Sequence, residues 1–250
     1  MDTDEHSPNI PMSQLTALFG TGVRDFFGRY LVGTAVASLR EASAEVKTPD
    51  QAISLAFDFR SCGIRIVPGQ VLSEIKQLLE VISQNPPTRL LEIGTAGGGT
   101  FFLLSRVAAE DALLISADLP EGRFGGGYPK WRGQLIQSFA RGRQQVHLLA
   151  ADSHSPETLR QIQQLLKSNP LDFLLIDGDH RYEGVKADFE MYSPLVRPGG
   201  LIAFHDIVPG PSDKVGGVPQ FWQELKKTHS VREFVEDWNQ KGYGLGLLTK

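Results

Sequence analysis

Leu90 to Ile93 form an apolar run, broken only by Glu92, that drives into a glycine-rich turn, Gly94-Thr-Ala-Gly-Gly-Gly99, and then into Thr100-Phe-Phe-Leu-Leu-Ser-Arg-Val-Ala-Ala. The pattern reads as a strand feeding a ligand-binding loop, with a helix packing back on the strand. Glycines 94, 97 and 98 are expected to allow positive φ and let a bound molecule lie against bare backbone. The embedded acid constrains that molecule. A carboxylate beside a helix N-terminus is a poor neighbour for a pyrophosphate and a good one for a cationic group that bears an amino acid.

From Gln70 onward the chain alternates. An amphipathic helix is expected over Val71–Ser83, with Val71, Leu72, Ile75, Leu78, Leu79 and Ile82 on one face. Strand Leu90–Ile93, a helix, strands Leu113–Ala117 and Val146–Ala150, helix Thr158–Ser168, strand Phe173–Ile176, helix Glu183–Tyr192 and strand Leu201–Phe204 follow. Apolar strands separated by amphipathic helices build a parallel sheet covered on both faces. The tail differs: helix Gln220–Thr228 precedes two short strands, Phe234-Val235 and Tyr243–Leu248, an antiparallel pair closing the sheet edge. The fold class is therefore α/β, a doubly wound, Rossmann-like sheet, mostly parallel with an antiparallel C-terminal edge. Residues 1–65 mix helix and turn signals without strand periodicity and are expected to form a helical cap over one end of the sheet, leaving 66–250 as the ligand-binding domain. One long irregular loop, Arg123–Trp131, falls on the ligand side.

Composition narrows the partners. With 250 residues, 41% hydrophobic, the chain can bury a full core, and a net charge of −4 offers no global basic field for nucleic acid. A single cysteine, Cys62, excludes an internal disulfide framework and fits a reducing compartment; it reads as a buried or incidental thiol. The opening Met1-Asp-Thr-Asp-Glu is acidic, without the layout of a signal peptide, and no apolar run is long enough for a membrane span. A cytoplasmic protein with a small-molecule partner, and neither a membrane nor a nucleic-acid one, is expected.

In an open parallel sheet, ligands bind beyond the carboxyl ends of the strands. Each expected strand ends in polar groups: Glu92 and Gly94, Asp118, Asp152-Ser153, Asp177-Gly-Asp-His180, and His205-Asp206. One acid after a strand is usually a solvated group or a helix cap. Five in series argue for a site. Asp118 lies twenty residues past Gly98, where a nucleotide-binding sheet places an acid to accept hydrogen bonds from ribose hydroxyls. Dinucleotide dehydrogenases share that spacing, but the glycines here follow Glu-x-Gly-x-x-x-Gly and not Gly-x-Gly-x-x-Gly. Glu92, Gly94, Thr95, Gly98, Thr100 and Asp118, with Asp177, are the cofactor candidates. Asp152 and Ser153 either reach an adenine edge or belong to the capping turn ahead of Pro156-Glu157. Asp177, His205 and Asp206 would converge on one ion if their strands are neighbours, roughly 5 Å apart; two acids and an imidazole suit a hard or borderline divalent cation. Asp177 as a helix cap and His205 as a satisfied histidine are the alternatives. His180, three residues past Asp177, is placed as a general base for a hydroxyl. Phe124, Tyr128, Trp131, Phe221 and Trp222 are either pocket walls or core.

Together these residues resemble the class I S-adenosylmethionine-dependent methyltransferases, and more narrowly the bacterial small-molecule O-methyltransferase group that includes cephalosporin-biosynthesis and macrolide-sugar enzymes. The likeness runs from about Gln70 to the C-terminus and rests on LLEIGTAGGGT, FGGGYPKWR, LLIDGDHRYEGVKADFEMYSPLVRPGGLIAFHDI and GVPQFWQELK. It implies S-adenosylmethionine as cofactor, held by Glu92, Gly94, Gly98 and Asp118. In the more distant catechol O-methyltransferase, acids ending two strands hold magnesium and a lysine three residues after the first acid is the base. Carried over, Asp177 and Asp206 become metal ligands, His205 replaces the family's other acid and His180 replaces the lysine. The histidine leaves magnesium or a softer divalent ion open. The resemblance thus implies metal-assisted methyl transfer to a small-molecule hydroxyl, with Asp177 and His180 as the catalytic pair and a homo-oligomer left open. Its rivals are a nicotinamide-dependent oxidoreductase and a non-catalytic protein that binds S-adenosylmethionine.

Overall fold

The computed structural model describes residues 21–120 and 127–250, with side chains described from residue 26 onward. Residues 123–126 of the glycine-rich loop at 123–131, Phe124 among them, lie outside the described residues. Helices α1 (Thr21–Ala44) and α2 (Pro49–Asp58) come first, and Thr48 closes a capping box with Gln51 at the start of α2. A two-residue hairpin follows, β1 (Arg60–Ser61) and β2 (Ile64–Arg65), turned by Cys62 and Gly63 at φ 50° and 77°. Two positive φ values at the turn match the right-handed twist of the strands. This corrects the expectation of no strand before residue 66, and Cys62 is exposed, not buried. Two residues per strand are too few to show a period in the sequence.

The remaining order is α3 (Leu72–Ser83), β3 (Arg89–Ile93), α4 (Gly99–Val107), β4 (Leu113–Asp118), α5 (Arg132–Gln137), β5 (Gln145–Ala150), α6 (Pro156–Leu166), β6 (Leu171–Ile176), α7 (Tyr182–Tyr192), β7 (Val196–His205), α8 (Val218–Leu225), β8 (Val231–Phe234) and β9 (Leu245–Thr249). The seven-stranded sheet runs β5-β4-β3-β6-β7-β9-β8, parallel from β5 to β7 and antiparallel at β7-β9 and β9-β8. This is the doubly wound sheet with an antiparallel edge that the pattern predicts. Strand β7 is longer than expected because Pro198-Gly-Gly200 continues in it.

Each face buries one apolar layer. Leu90, Leu114, Phe173 and Ala203 face α3, α4, α5 and the N-terminal helices, while Leu91, Ile115, Leu174 and Phe204 face α6, α7 and α8. Burying each such side chain contributes about 1.5–3 kcal/mol. Trp131, Phe221 and Trp222 are buried in these layers, so they are core and not pocket walls. A side chain at Gly28 of α1 would overlap the Trp131 ring, which fixes how closely α1 lies on α5. The N-terminal helices therefore cover one face of the sheet; among the described residues of this part the segment 66–70 reaches its carboxyl end, where the Ile66 carbonyl crowds Gly99 and Gln70 contacts Thr100 and Asp177.

Winding reverses between β3 and β6, the switch point where such sheets bind ligands. Ile93 pairs with Ile176, and Ile176 with Phe204, so Gly94, Asp177 and His205 emerge side by side at one level.

Candidate active site

The turn after β3 is built for close approach. Gly94 has φ 88°, and a Cβ there would overlap the carbonyl of Asp177. Gly98, at φ 83°, is the N-cap of α4. Gly97 departs from expectation: the positive angles belong to Gly94, Ala96 and Gly98, and Gly97 instead presents its carbonyl to Arg132, whose Nε donates to it at 2.9 Å. Thr95 and Thr100 turn their hydroxyls inward, Thr95 to Ser116 at 2.7 Å and Thr100 to the side-chain Oε1 of Gln70 at 2.5 Å.

Glu92 is 1% exposed, and neither of its carboxylate oxygens has a hydrogen-bond partner. Burial pushes its carboxyl well above the usual range, and the charges of Asp177 and Asp118 add to the shift. The Tyr128 hydroxyl is likewise buried without a partner. Asp118 accepts from Gly127 N at 2.7 Å and from Ala96 N at 2.5 Å, yet burial still raises its carboxyl. Glu92 and Asp118, both raised by burial and further by the charge of Asp177, therefore flank the glycine turn. Such a set fits a ligand that brings positive charge.

At the ends of β6 and β7 the acids have partners. Asp177 Oδ1 lies 3.0 Å from His205 Nδ1 and 3.4 Å from His180 Nε2, and its Oδ2 accepts from Gln70 Nε2 at 3.2 Å. Burial opposes the charge of Asp177, but the imidazoles hold its carboxyl far below the ordinary range. Burial likewise opposes charge on His180, which Asp177, the Lys214 carbonyl and Asp206 nevertheless raise to about 9. His205 is raised to about 8, mainly by Asp177 against its own burial. The Lys214 carbonyl sits at His180 Nδ1, so Nδ1 carries a hydrogen, and Nε2, beside Asp177 Oδ1, is where the ring takes up its second proton.

Asp177, His180 and Asp206 each offer a ligand atom within 4.8 Å of the other two. That group contains His180 where the sequence pointed to His205, whose Nδ1 is spent on Asp177 and whose Nε2 is buried without a partner. Asp177 caps no helix, since α7 begins at Arg181 without a side-chain cap.

Residues 91–207 match a protein-family model described as "Methyltransferase domain". The stretch from β3 to the end of β7 is thus similar to a methyltransferase domain. The fold of the chain is similar to that of the O-methyltransferase TomG from Streptomyces achromogenes, crystallised with S-adenosylmethionine: 17% identity, TM-score 0.54, covering 84% of this chain and 93% of that one. The O-methyltransferase from Bacillus cereus, in complex with S-adenosylhomocysteine, gives 20% identity and TM-score 0.53 over 88% of this chain and all of that one (100%). Among curated relatives, the uncharacterized protein y4gI of Sinorhizobium fredii is 28% identical over 172 residues, 65% of this chain and 17% of its own length. The uncharacterized protein R132 of Acanthamoeba polyphaga mimivirus is 50% identical over 38 residues, covering 15% of this chain and 17% of its own length. The chain thus spans about a sixth of the curated relatives it matches.

Beside the glycine turn, Asp152 stays half exposed and accepts from His154 N at 2.9 Å, while the Ser153 carbonyl receives the Tyr192 hydroxyl at 2.6 Å. The cap of α6 is Ser155, which accepts from Glu157 N, and Ser155 N and the Thr158 hydroxyl donate to the Asp152 carbonyl, so Asp152 and Ser153 lie in the capping turn. Sequence reasoning missed Gln70 and Arg132. Gln70 ties Thr100 to Asp177, and Arg132 also donates to the Arg65 carbonyl, so both join the N-terminal segment to the site. A glutamine in a coil leaves no periodic signal, although Arg132 closes the quoted FGGGYPKWR.

Proposed function

We propose that the chain transfers the methyl group of S-adenosylmethionine to a hydroxyl oxygen of a small molecule. The observation that carries this reading is the convergence of Glu92, Asp118 and Asp177 on the glycine turn, with Glu92 lacking any hydrogen bond. S-adenosylmethionine brings a sulfonium and an ammonium to such acids, whereas NAD brings a pyrophosphate. The complexes of TomG and the Bacillus cereus enzyme support the choice. In this reading Glu92, Gly94, Thr95, Gly98 and Thr100 shape the amino-acid end of the pocket, Asp118 takes the ribose hydroxyls, and Asp152 with Ser153 borders the adenine. Residues 66–250 are the cofactor-binding domain and 1–65 a cap that delivers Gln70 to it.

The acceptor oxygen attacks the methyl carbon as the carbon–sulfur bond breaks; the sulfur keeps the bonding pair and leaves as a neutral thioether. The hydroxyl proton goes to His180 Nε2, which Asp177 orients. Holding oxygen, carbon and sulfur in line can remove roughly 7–11 kcal/mol from the barrier.

The mutual approach of Asp177, His180 and Asp206 favours a second reading, with a divalent cation such as magnesium held by these residues and His205 supporting Asp177. Bound there, the cation would lower the pKa of the acceptor hydroxyl and orient it. His180 would then be a ligand, and the acceptor proton would pass to another base. Elemental analysis and turnover in excess EDTA separate the two readings.

Calorimetry against S-adenosylhomocysteine and NAD tests the main proposal. Micromolar binding of the former is expected, and tight NAD binding without it would overturn the methyl-transfer reading.

A further inference from the structure

Four consecutive residues, Lys241, Gly242, Tyr243 and Gly244, have φ values of 61°, 119°, 60° and 82°. Glycine adopts these angles freely, but a residue with a Cβ does so at a cost, and a bulky side chain there persists only when its surroundings over-determine it. The surroundings here do so from three sides. Tyr243 N donates to Asp206 Oδ1 at 2.9 Å, and the Tyr243 carbonyl accepts from Val208 N at 3.0 Å. Gly244 N donates to Glu74 Oε2 at 2.9 Å, and Glu74 Oε1 accepts from Gln240 Nε2 at 2.7 Å and Glu236 N at 3.1 Å. Glu74 is a fully buried acid on α3, so a charged side chain is committed to holding this loop.

What the loop presents is a ring left 46% exposed, with its centroid 6.1 Å from that of His205. An exposed ring adds little to folding, and glycine or asparagine would suit the backbone better. We propose that Tyr243 is a specificity-determining residue, an uncharged aromatic face at the mouth of the Asp177–His180–Asp206 cluster on which the acceptor lies. The chemistry selects a hydroxyl carried on a ring with a flat apolar face, aromatic or pyranose, over an acyclic alcohol. This assignment rests on the methyl-transfer reading.

Tyr243→Asn removes the ring while keeping a residue that tolerates the left-handed region, and Tyr243→Phe keeps the ring. Binding of 4-nitrophenol, 7-hydroxycoumarin, methyl β-glucopyranoside and 1-butanol is measured by titration in the presence of saturating S-adenosylhomocysteine. At least one ring probe should bind the parent more tightly than 1-butanol. Its affinity should fall by about tenfold in Tyr243→Asn and hold in Tyr243→Phe, a change on the scale of one lost stacking contact. S-adenosylhomocysteine affinity and melting temperature should not fall in the asparagine variant, which a merely structural ring would not allow. Equal binding of a ring probe by Tyr243→Asn and the parent, or no preference for rings in the parent, overturns the assignment. Failure of the parent to bind S-adenosylhomocysteine is seen separately by calorimetry; it would sink the methyl-transfer reading and this assignment with it.

Discussion

Glu92 and Asp177 sit near the carboxyl ends of adjacent strands and are both largely buried, yet their acidities are displaced in opposite directions. Glu92 has no hydrogen bond, and its carboxyl is driven up; Asp177 is flanked by His180 and His205, and its carboxyl is driven down. Burial alone therefore does not decide whether an acid in this site is charged: the imidazoles do. The two halves of the pocket are prepared differently. The Asp177 side is neutralised by the protein itself, while the Glu92 side is left for a ligand to neutralise.

The contrast breaks most severely at Asp177. Asp177→Asn leaves two imidazoles that both favour a proton with only Asp206 to share, which should destabilise the fold by about 1–3 kcal/mol near pH 7. Methyl transfer should fall by about 10²–10⁴-fold, because His180 loses the group that orients it. Urea unfolding and formation of S-adenosylhomocysteine measure the two effects. A variant as stable as the parent would mean that the imidazoles are neutral in the folded state.

His180→Ala should lower the rate by about 10²–10⁴-fold while leaving S-adenosylhomocysteine affinity close to the parent value. Its pH profile sharpens the comparison. A protonated imidazole cannot accept, so with His180 raised to about 9 the parent rate should climb from neutral pH toward pH 9, and the variant should lose that climb. An unaltered profile would remove His180 as the base. The same shift affects stability: the raised pKa values of His180 and His205 contribute stability that is fully present below about pH 6.5 and is lost as pH rises through about 8 to 9. The depressed Asp177 contributes stability that is present above about pH 4 and lost below it.

The sheet and the acids at its strand ends were legible because both signals are local: an apolar run sets a strand, and the residue after it sits at the ligand end. The approach of Asp177 and His205 was legible only on the condition that their strands are neighbours, and β6 and β7 do pair. Orientation was not legible. Nothing near His205 in the sequence shows that its Nδ1 faces Asp177 while its Nε2 is buried without a partner. Glu74 falls between the apolar positions of α3 and reads as solvated, yet it is fully buried because three donors from the distant 236–244 segment converge on it. Leu72, expected on the apolar face, is half exposed. Gln70 reaches Asp177 from the other end of the chain's fold, a contact that leaves no trace within a window of a dozen residues.

Glu92→Gln tests the unpaired side. The substitution keeps the shape and removes the charge, so S-adenosylmethionine should lose about 1.5–3 kcal/mol of affinity, the scale of hydrogen bonds to a charged group. S-adenosylhomocysteine, which lacks the sulfonium charge, should lose less. In the parent, affinity for S-adenosylmethionine should tighten as pH rises and Glu92 ionises; the variant should show no such gain from this residue. Folding moves oppositely to Asp177. A carboxyl raised by burial makes the folded state resist ionisation, so the parent loses stability as pH climbs above about 4.3, until Glu92 ionises in the fold as well. Glu92→Gln should lack that decline, and equal losses for both ligands would show that Glu92 does not face the sulfonium.

Between these extremes stands Asp188, fully buried on α7, its carboxyl raised by burial, with one imidazole beside it: His154 Nε2 lies 3.3 Å from its Oδ1. His154 is partly solvent-exposed, and Asp188, more than Asp152 and the Gly184 carbonyl, raises it to about 9. His154→Gln should therefore destabilise the fold by only about 1–2 kcal/mol, less than loss of a fully enclosed partner because water can approach the vacated position. The raised pKa sets the pH dependence of the gap. It should be fully present below about pH 6.5, where His154 would be charged even in the unfolded chain, and it should close as pH rises through about 9 and the parent imidazole loses its proton. Urea unfolding of both proteins between pH 6 and pH 10 measures it. A gap that stays constant across that range would show that the histidine acts through packing, and that one imidazole is not enough to hold Asp188 ionised in the way that two hold Asp177.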